Sequence, residues 1–253
     1  MPAGSQVTSS GSGGFPIDGR MAIQFTGGIV STALLECRQV SAAQALLYLH
    51  GLASSPRGRK RVMLEKRFEA EGWKIVAPDL NVPSFSELSF FEMVRTARSA
   101  QREARPAVIV GSSLGALVSL SLAEFLGSGG PSLVLVAPAL GLGERWKSKL
   151  PEGDVFELFH HGEGRPLPIH RAFFEEMSGV LVDEAPPSVP VSIVMGTGDV
   201  SVPFEQVAES WARWEASGRL VPGSRFHRVE GGDHGLIEFG DEIEAAVRER
   251  LAG

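Results

Sequence analysis

A serine hydroxyl becomes a useful nucleophile only when a base stands within hydrogen-bond reach and a carboxylate orients that base. The stretch VIVGSSLGAL, residues 108–117, offers such a serine: Gly111-Ser112-Ser113-Leu114-Gly115 fits the G-x-S-x-G pattern. In that pattern the serine occupies a strained strand-to-helix turn, and the glycines relieve crowding around it. The five residues alone are weak evidence in a chain with 30 glycines among 253 residues. Their context strengthens them, because a branched apolar run leads into Ser112 and ALVSLSLAEFL continues past the serine as an amphipathic helix. Ser113 is the candidate nucleophile.

The partners of such a serine follow in the order acid, then histidine. Asp199 closes VSIVMGTGD, and His234 stands in EGGDHGL after the last strand-like run. Alone, Asp199 reads as a turn or helix-cap residue and His234 as a solvated loop residue. Together with Ser113 they read as a triad, each at the C-terminal end of a different strand, the edge where open α/β sheets bind ligands. Glu230 and Asp233 compete for the orienting role. Asp233, adjacent to His234, is badly placed to reach its Nδ1, and Glu230 points along its strand, so Asp199 is preferred.

The anion formed during attack needs donors. Leu114 N–H, at the start of the helix after Ser113, is one. The second comes from His50-Gly51-Leu52-Ala53, directly after the strand LLYL: Leu52 N–H is the choice, with Ala53 its alternative. Gly51 lets the main chain approach the substrate, and His50 is assigned to bracing the loop rather than to acting as a base.

These residues require a scaffold of alternating elements. ALLYLHG (45–51), WKIVAPDL (73–80), AVIVGSS (107–113), SLVLVAPAL (132–140), VSIVMGTGD (191–199) and RFHRVEGGDHG (225–235) read as strands. Residues 59–71, 86–104, 114–127, 203–216 and 240–252 carry apolar positions at helical spacing, and Gly72, Gly127 and Gly218 mark helix ends. Near-continuous Val, Ile and Leu in four strands predicts a largely parallel sheet covered on both faces, a doubly wound α/β domain. Between 141 and 189 the alternation gives way to a polar segment with one helix, IHRAFFEEMSGV at 169–180, which reads as a lid-like insertion. Phe173, Phe174, Met177 and Val180 form its apolar stripe, assigned to packing ahead of an acyl pocket. The Gly/Ser-rich residues 1–20 read as a disordered leader, with Met21 an alternative start, and 21–253 as one domain whose residues 22–40 could add edge strands.

Other chemistries find less support. A net charge of -6 leaves no basic surplus for nucleic acid. No apolar run reaches the length of a membrane span. His160, His161 and His170 read as solvated loop histidines, since no Cys, Asp or Glu cluster at matching spacing makes them a metal site. Asp79, in APDLNVPSF, ends a strand and shapes a turn, and no phosphate-binding Gly-rich loop implies a nucleotide cofactor. No metal and no cofactor are expected. The single cysteine, Cys37, fits a reducing compartment, so the cytoplasm is the expected location.

LYLHGLASSPRGRK, PDLNVPSFSELSF, VIVGSSLGAL, VAPAL, GTGDVSVP and GGDHGL together resemble the α/β-hydrolase superfamily, most closely the small bacterial esterases of the YqiA/UPF0227 type. The resemblance runs from about Leu46 onward. It implies a carboxylesterase or thioesterase acting on a small acyl ester, with Ser113, Asp199 and His234 as triad. The rival reading is a non-catalytic protein that uses the same fold to bind a small ligand or partner.

Overall fold

The computed structural model describes residues 44–142, 150 and 152–252. The leader over 1–20 and the edge-strand reading over 22–40 lie outside them. Six strands, β1 (Ala45–Leu49), β2 (Lys74–Val76), β3 (Val108–Ser112), β4 (Ser132–Val136), β7 (Val191–Gly196) and β8 (Arg225–Val229), form one sheet in the order β2-β1-β3-β4-β7-β8. Every pairing in it is parallel. Side chains on both faces of β1, β3 and β7 are buried, which is why these segments read as unbroken apolar runs rather than alternating ones.

Helices α1 (Arg59–Phe68), α2 (Phe90–Ala104), α3 (Leu114–Leu126), α5 (Phe204–Ala216) and α6 (Gly240–Ala252) cover the sheet, and a short helix α4 spans Arg171–Met177. Right-handed crossovers dictate the sides. The step from β1 out to β2 and the steps from β2 through β3 to β4 run in opposite directions, so α1 lies on one face and α2 and α3 on the other. The contacts agree: α2 packs on α3, and α1 packs on α6. The core fills the space between sheet and helices, with Leu46, Ile109, Val134, Ile193, Phe68 and Trp214 fully buried. The winding direction reverses between β1 and β3, and the crevice beyond their C-terminal ends is where such sheets bind ligands.

Several elements are shorter than the sequence suggests. The strand expected over 73–80 stops at Val76, ahead of Pro78, which has no N–H for a ladder, and the run over 225–235 stops at Val229 because Gly231 turns with φ +69°. The helix expected from 86 starts at Phe90, where Ser89 caps it by accepting the Glu92 N–H at 3.4 Å. Among the described residues no helix is long and apolar enough to cross a membrane.

The larger departure lies in 141–189. Besides α4 it contains an antiparallel hairpin, β5 (Val155–His160) with β6 (Arg165–His170), which the sequence reading missed. His160 is therefore not a solvated loop residue. It ends β5 buried, edge-on to Phe85 with ring centroids 4.7 Å apart, and its Nδ1 accepts the Glu163 N–H at 3.1 Å. Burial also holds its imidazole below the ordinary histidine range. His161 is exposed in the hairpin turn, as expected, whereas His170, also exposed, ends β6 rather than lying in a loop. Phe173, Phe174 and Met177 are buried, with Phe174 stacked on Phe156. Glu176 of α4 accepts the Phe90 and Phe91 N–H groups at 3.1 and 3.0 Å, placing a carboxylate on the positive end of α2.

Candidate active site

The turn after β3 brings the chain to Ser113 with φ 54° and ψ -116°, a conformation of order 1–3 kcal/mol above the ordinary wells for a residue with a side chain. Hydrogen bonds hold it there: Ser113 N–H donates to Val136 C=O at 3.0 Å, and Ser113 C=O accepts from Ala116 N–H at 3.0 Å and Ala139 N–H at 3.2 Å. The elbow glycines are demanded by packing. A Cβ on Gly115 would collide with Leu49 C=O and lie 2.7 Å from His50 O, because α3 starts against the end of β1. One on Gly111 would strike Ser119 Oγ and lie 2.5 Å from Gly115 O.

The loops after β7 and β8 are laced together. Thr197 N–H donates to Val229 C=O at 2.9 Å, Gly198 N–H to Gly232 C=O at 3.0 Å, and Gly231 N–H to Thr197 Oγ1 at 2.8 Å. From these loops come Asp199 and His234, joined by an Asp199 Oδ2 to His234 Nδ1 contact of 2.7 Å. The other oxygen, Asp199 Oδ1, accepts the Ser201 and Val202 N–H groups, both at 2.8 Å. The Asp199 side chain is wholly shielded from solvent, while that of His234 is 29% exposed. Burial alone would raise the Asp199 carboxyl, but the His234 bond and the two backbone donors outweigh it and hold it below the ordinary carboxylate range. With Nδ1–H donating to that carboxylate, His234 Nε2 carries the free lone pair. The competing acids are occupied elsewhere: Glu230 with Thr197 and Arg228, Asp233 with the Leu236 N–H.

Ser113 and His234 line one cleft of about 850 Å³, at the crevice between β1 and β3. Among the described residues no hydrogen bond joins Ser113 Oγ to the His234 ring. The loop after β1 forms the adjacent wall. A Cβ on Gly51 would sit 3.0 Å from Ser113 Cβ, so Leu52 follows at a point where the main chain already touches the serine. Neither Leu52 N–H nor Leu114 N–H is engaged by another group among the described residues. His50 braces this loop from inside: buried, it accepts the Leu80 N–H on Nε2 at 3.0 Å and meets Gly51 C=O through Nδ1 at 2.9 Å. An Nε2 that accepts from Leu80 has no proton for Asp79, which stands 3.4 Å away. Asn81 Nδ2 donates to Ser54 C=O at 3.0 Å, and the hairpin turn clamps the outside, His161 N–H donating to Ala53 C=O at 2.7 Å.

Residues 45–248 match the model of the Uncharacterised protein family (UPF0227). The chain belongs to that family. No curated protein matches this UPF0227 chain. Solved structures do. Est1E from Butyrivibrio proteoclasticus, with ferulic acid bound, is similar at 16% identity and TM-score 0.67, over 83% of this chain and 90% of its own. Alpha/beta hydrolase domain-containing protein 10 from mouse is similar at 19% identity and TM-score 0.63, over 81% and 90%. A monoacylglycerol lipase from Paleococcus ferrophilus reaches 18% identity and TM-score 0.64, over 82% and 94%. The fold of this UPF0227 protein is the α/β-hydrolase fold.

Three cleft or loop residues escaped the sequence reading. Tyr48, the one tyrosine of the chain, faces the cleft from β1, and burial, opposed by a hydrogen bond with Ser112, pushes its phenol up to about 12. It stays a neutral donor near neutral pH. Lys60 of α1 donates from Nζ to His234 C=O at 3.1 Å. Asn81 had a sequence signal only in hindsight, as the residue after the Pro-Asp turn. Among the described residues no group of three or more His, Cys, Asp or Glu side chains is placed to hold a metal ion.

Proposed function

We propose that the protein is a serine hydrolase that cleaves a small carboxylic ester or thioester through an acyl-enzyme, with Ser113 as nucleophile, His234 as general base and acid, and Asp199 as orienting acid. The observation that carries the reading is the 2.7 Å Asp199 to His234 contact beside the strained Ser113 turn. Nε2 of His234 takes the Ser113 proton as Oγ bonds to the substrate carbonyl carbon, and the Leu52 and Leu114 N–H groups receive the oxyanion. Collapse breaks the bond to the alkoxide or thiolate, which leaves with the proton from His234. A water then gives its proton to His234 as it attacks the acyl carbon, and the acyl–Oγ bond breaks as His234 returns the proton to Ser113 Oγ, releasing the acid. Seating of substrate closes the Ser113 to His234 hydrogen bond, as catalytic bonds commonly tighten only in the complex. The turn of the β5–β6 hairpin, whose His161, Gly162 and Glu163 line the cleft, bounds the acyl or leaving group and limits the size of substrate admitted.

Intact mass after exposure to a fluorophosphonate tests this reading. One adduct is expected on wild type, none on Ser113→Ala, and slow formation on His234→Ala. A folded wild type that takes up no adduct would replace the hydrolase reading with that of a ligand-binding protein on the same fold.

A further inference from the structure

Lys60 is the group at this cleft that the triad mechanism leaves unused. It lies in the first turn of α1, yet its Nζ reaches the main-chain carbonyl of His234, 174 positions later in the chain. The residue as a whole is half-buried with its ammonium withdrawn from solvent, and it lines the same cleft as Ser113. Helix α1 is a rigid base for such a reach. Its far end is fixed on α6 by Arg67, which pairs with Asp241 at 2.6 Å and with Glu244, and the turn just after it by Arg248, which reaches Glu71 at 2.6 Å. The loop carrying His234 runs between β8 and α6, so the Lys60 bond ties the middle of that loop to the neighbour on which α6 already rests.

We propose that Lys60 is a positioning residue for the base: by holding the His234 carbonyl it fixes the loop that aims the imidazole at Ser113. Asp199 restrains the ring from one side and Lys60 restrains its backbone from the other. The inference rests on the Ser113 and His234 reading above. The titratable and charged groups facing Lys60 are Asp233 and His234 from the β8–α6 loop, Asp199 from the β7–α5 loop and Arg59 on α1, with Arg57, Asp79 and Glu163 along the same cleft. Burial pushes the ammonium down to about 8, against Asp233 and Asp199, with Arg59 adding to the fall. The tether therefore loses its charge within an accessible alkaline range, and a charge-assisted donor is roughly twice as strong as a neutral one.

The test is the second-order rate of fluorophosphonate labelling of the full chain, followed by intact mass between about pH 6 and pH 10, for wild type, Ser113→Ala, Lys60→Met and Lys60→Arg. The probe is neutral and brings no ionised group for Lys60 to bind, so the rate reports aiming of the base. Lys60→Met is expected to label about 10 to 100-fold more slowly at pH 7, the scale of a displacement near one ångström. Wild-type labelling is expected to fall above about pH 8, and Lys60→Arg, whose guanidinium stays charged, to lose that fall. Near-UV circular dichroism identifies a variant that has merely unfolded, and the arginine variant then decides the matter alone. Lys60→Met labelling within twofold of wild type, or an unchanged alkaline fall in Lys60→Arg, would overturn the proposal with the triad intact. Absence of Ser113-dependent labelling in wild type would instead overturn the triad, and this inference with it.

Discussion

Replacing Asp199 by Asn separates the two jobs its carboxylate does. Oδ1 holds its own loop through the Ser201 and Val202 N–H groups, and Oδ2 alone faces His234. The asparagine oxygen can keep both backbone bonds, so the loop survives. Its amide NH₂ then faces Nδ1, which must become an acceptor, and the proton moves to Nε2, where a base is needed. The expected loss in kcat is about 10⁴-fold, near 5 kcal/mol of transition-state stabilisation. Stability should change much less. Three charge-assisted bonds become neutral ones, which costs about 1–2 kcal/mol at pH 7. Asp199 sits below the ordinary carboxylate range, so its contribution is present above that range and fades as pH falls through the lowered folded value. Wild type and Asp199→Asn should therefore converge in urea midpoint toward acid pH. The assay is turnover of an activated short-chain ester beside urea unfolding at pH 7 and at acid pH. A loss below tenfold with an intact fold would refute the orienting role and shift it to Glu230 or Asp233.

The elbow supports two further predictions. Ser113→Gly and Ser113→Ala both remove Oγ, but glycine tolerates φ 54° and alanine does not. The glycine variant should be more stable by about 1 kcal/mol in urea unfolding, after its extra chain entropy is subtracted, and equal midpoints would mean the turn stores no strain. Gly115→Ala forces a Cβ into the Leu49 carbonyl, so α3 or the end of β1 must move. A stability loss of about 1–3 kcal/mol is expected, with activity falling further because the His50 to Leu52 loop shifts too. Wild-type activity in that variant would show that the two elements are not in contact.

The parallel sheet was legible because strands buried on both faces are dominated by branched apolar residues with small ones between, as in VIVGS and VSIVMG. The positions of Ser113, Asp199 and His234 were legible because sheet edges impose an order on them. The β5–β6 hairpin was not. Its strands are half exposed, and Pro166 and Pro168 argue against a strand in any sequence reading. Both prolines stand two residues apart on β6, so their missing N–H groups fall on the open edge, where no partner needs them. His160 was misread with the hairpin, since only the fold supplies Phe85 to cover it. Lys60 was invisible for another reason: its acceptor is a main-chain carbonyl, which leaves no trace in side-chain patterns.

The wide separation of the paired loops carries a kinetic consequence. β3 leads into Ser113, but on the proposed reading its acid and base follow β7 and β8, which join the sheet through β4. A chain that has assembled β1 to β4 holds a finished elbow, since Val136 and Ala139 anchor Ser113, but has no base beside it. Its hydroxyl is as unreactive as that of any free serine. On that reading, reactivity waits until the loops after β7 and β8 stand beside the elbow. During refolding, the return of labelling should lag the return of helical signal, so chemistry itself reports the arrival of β7 and β8 on the rest of the sheet.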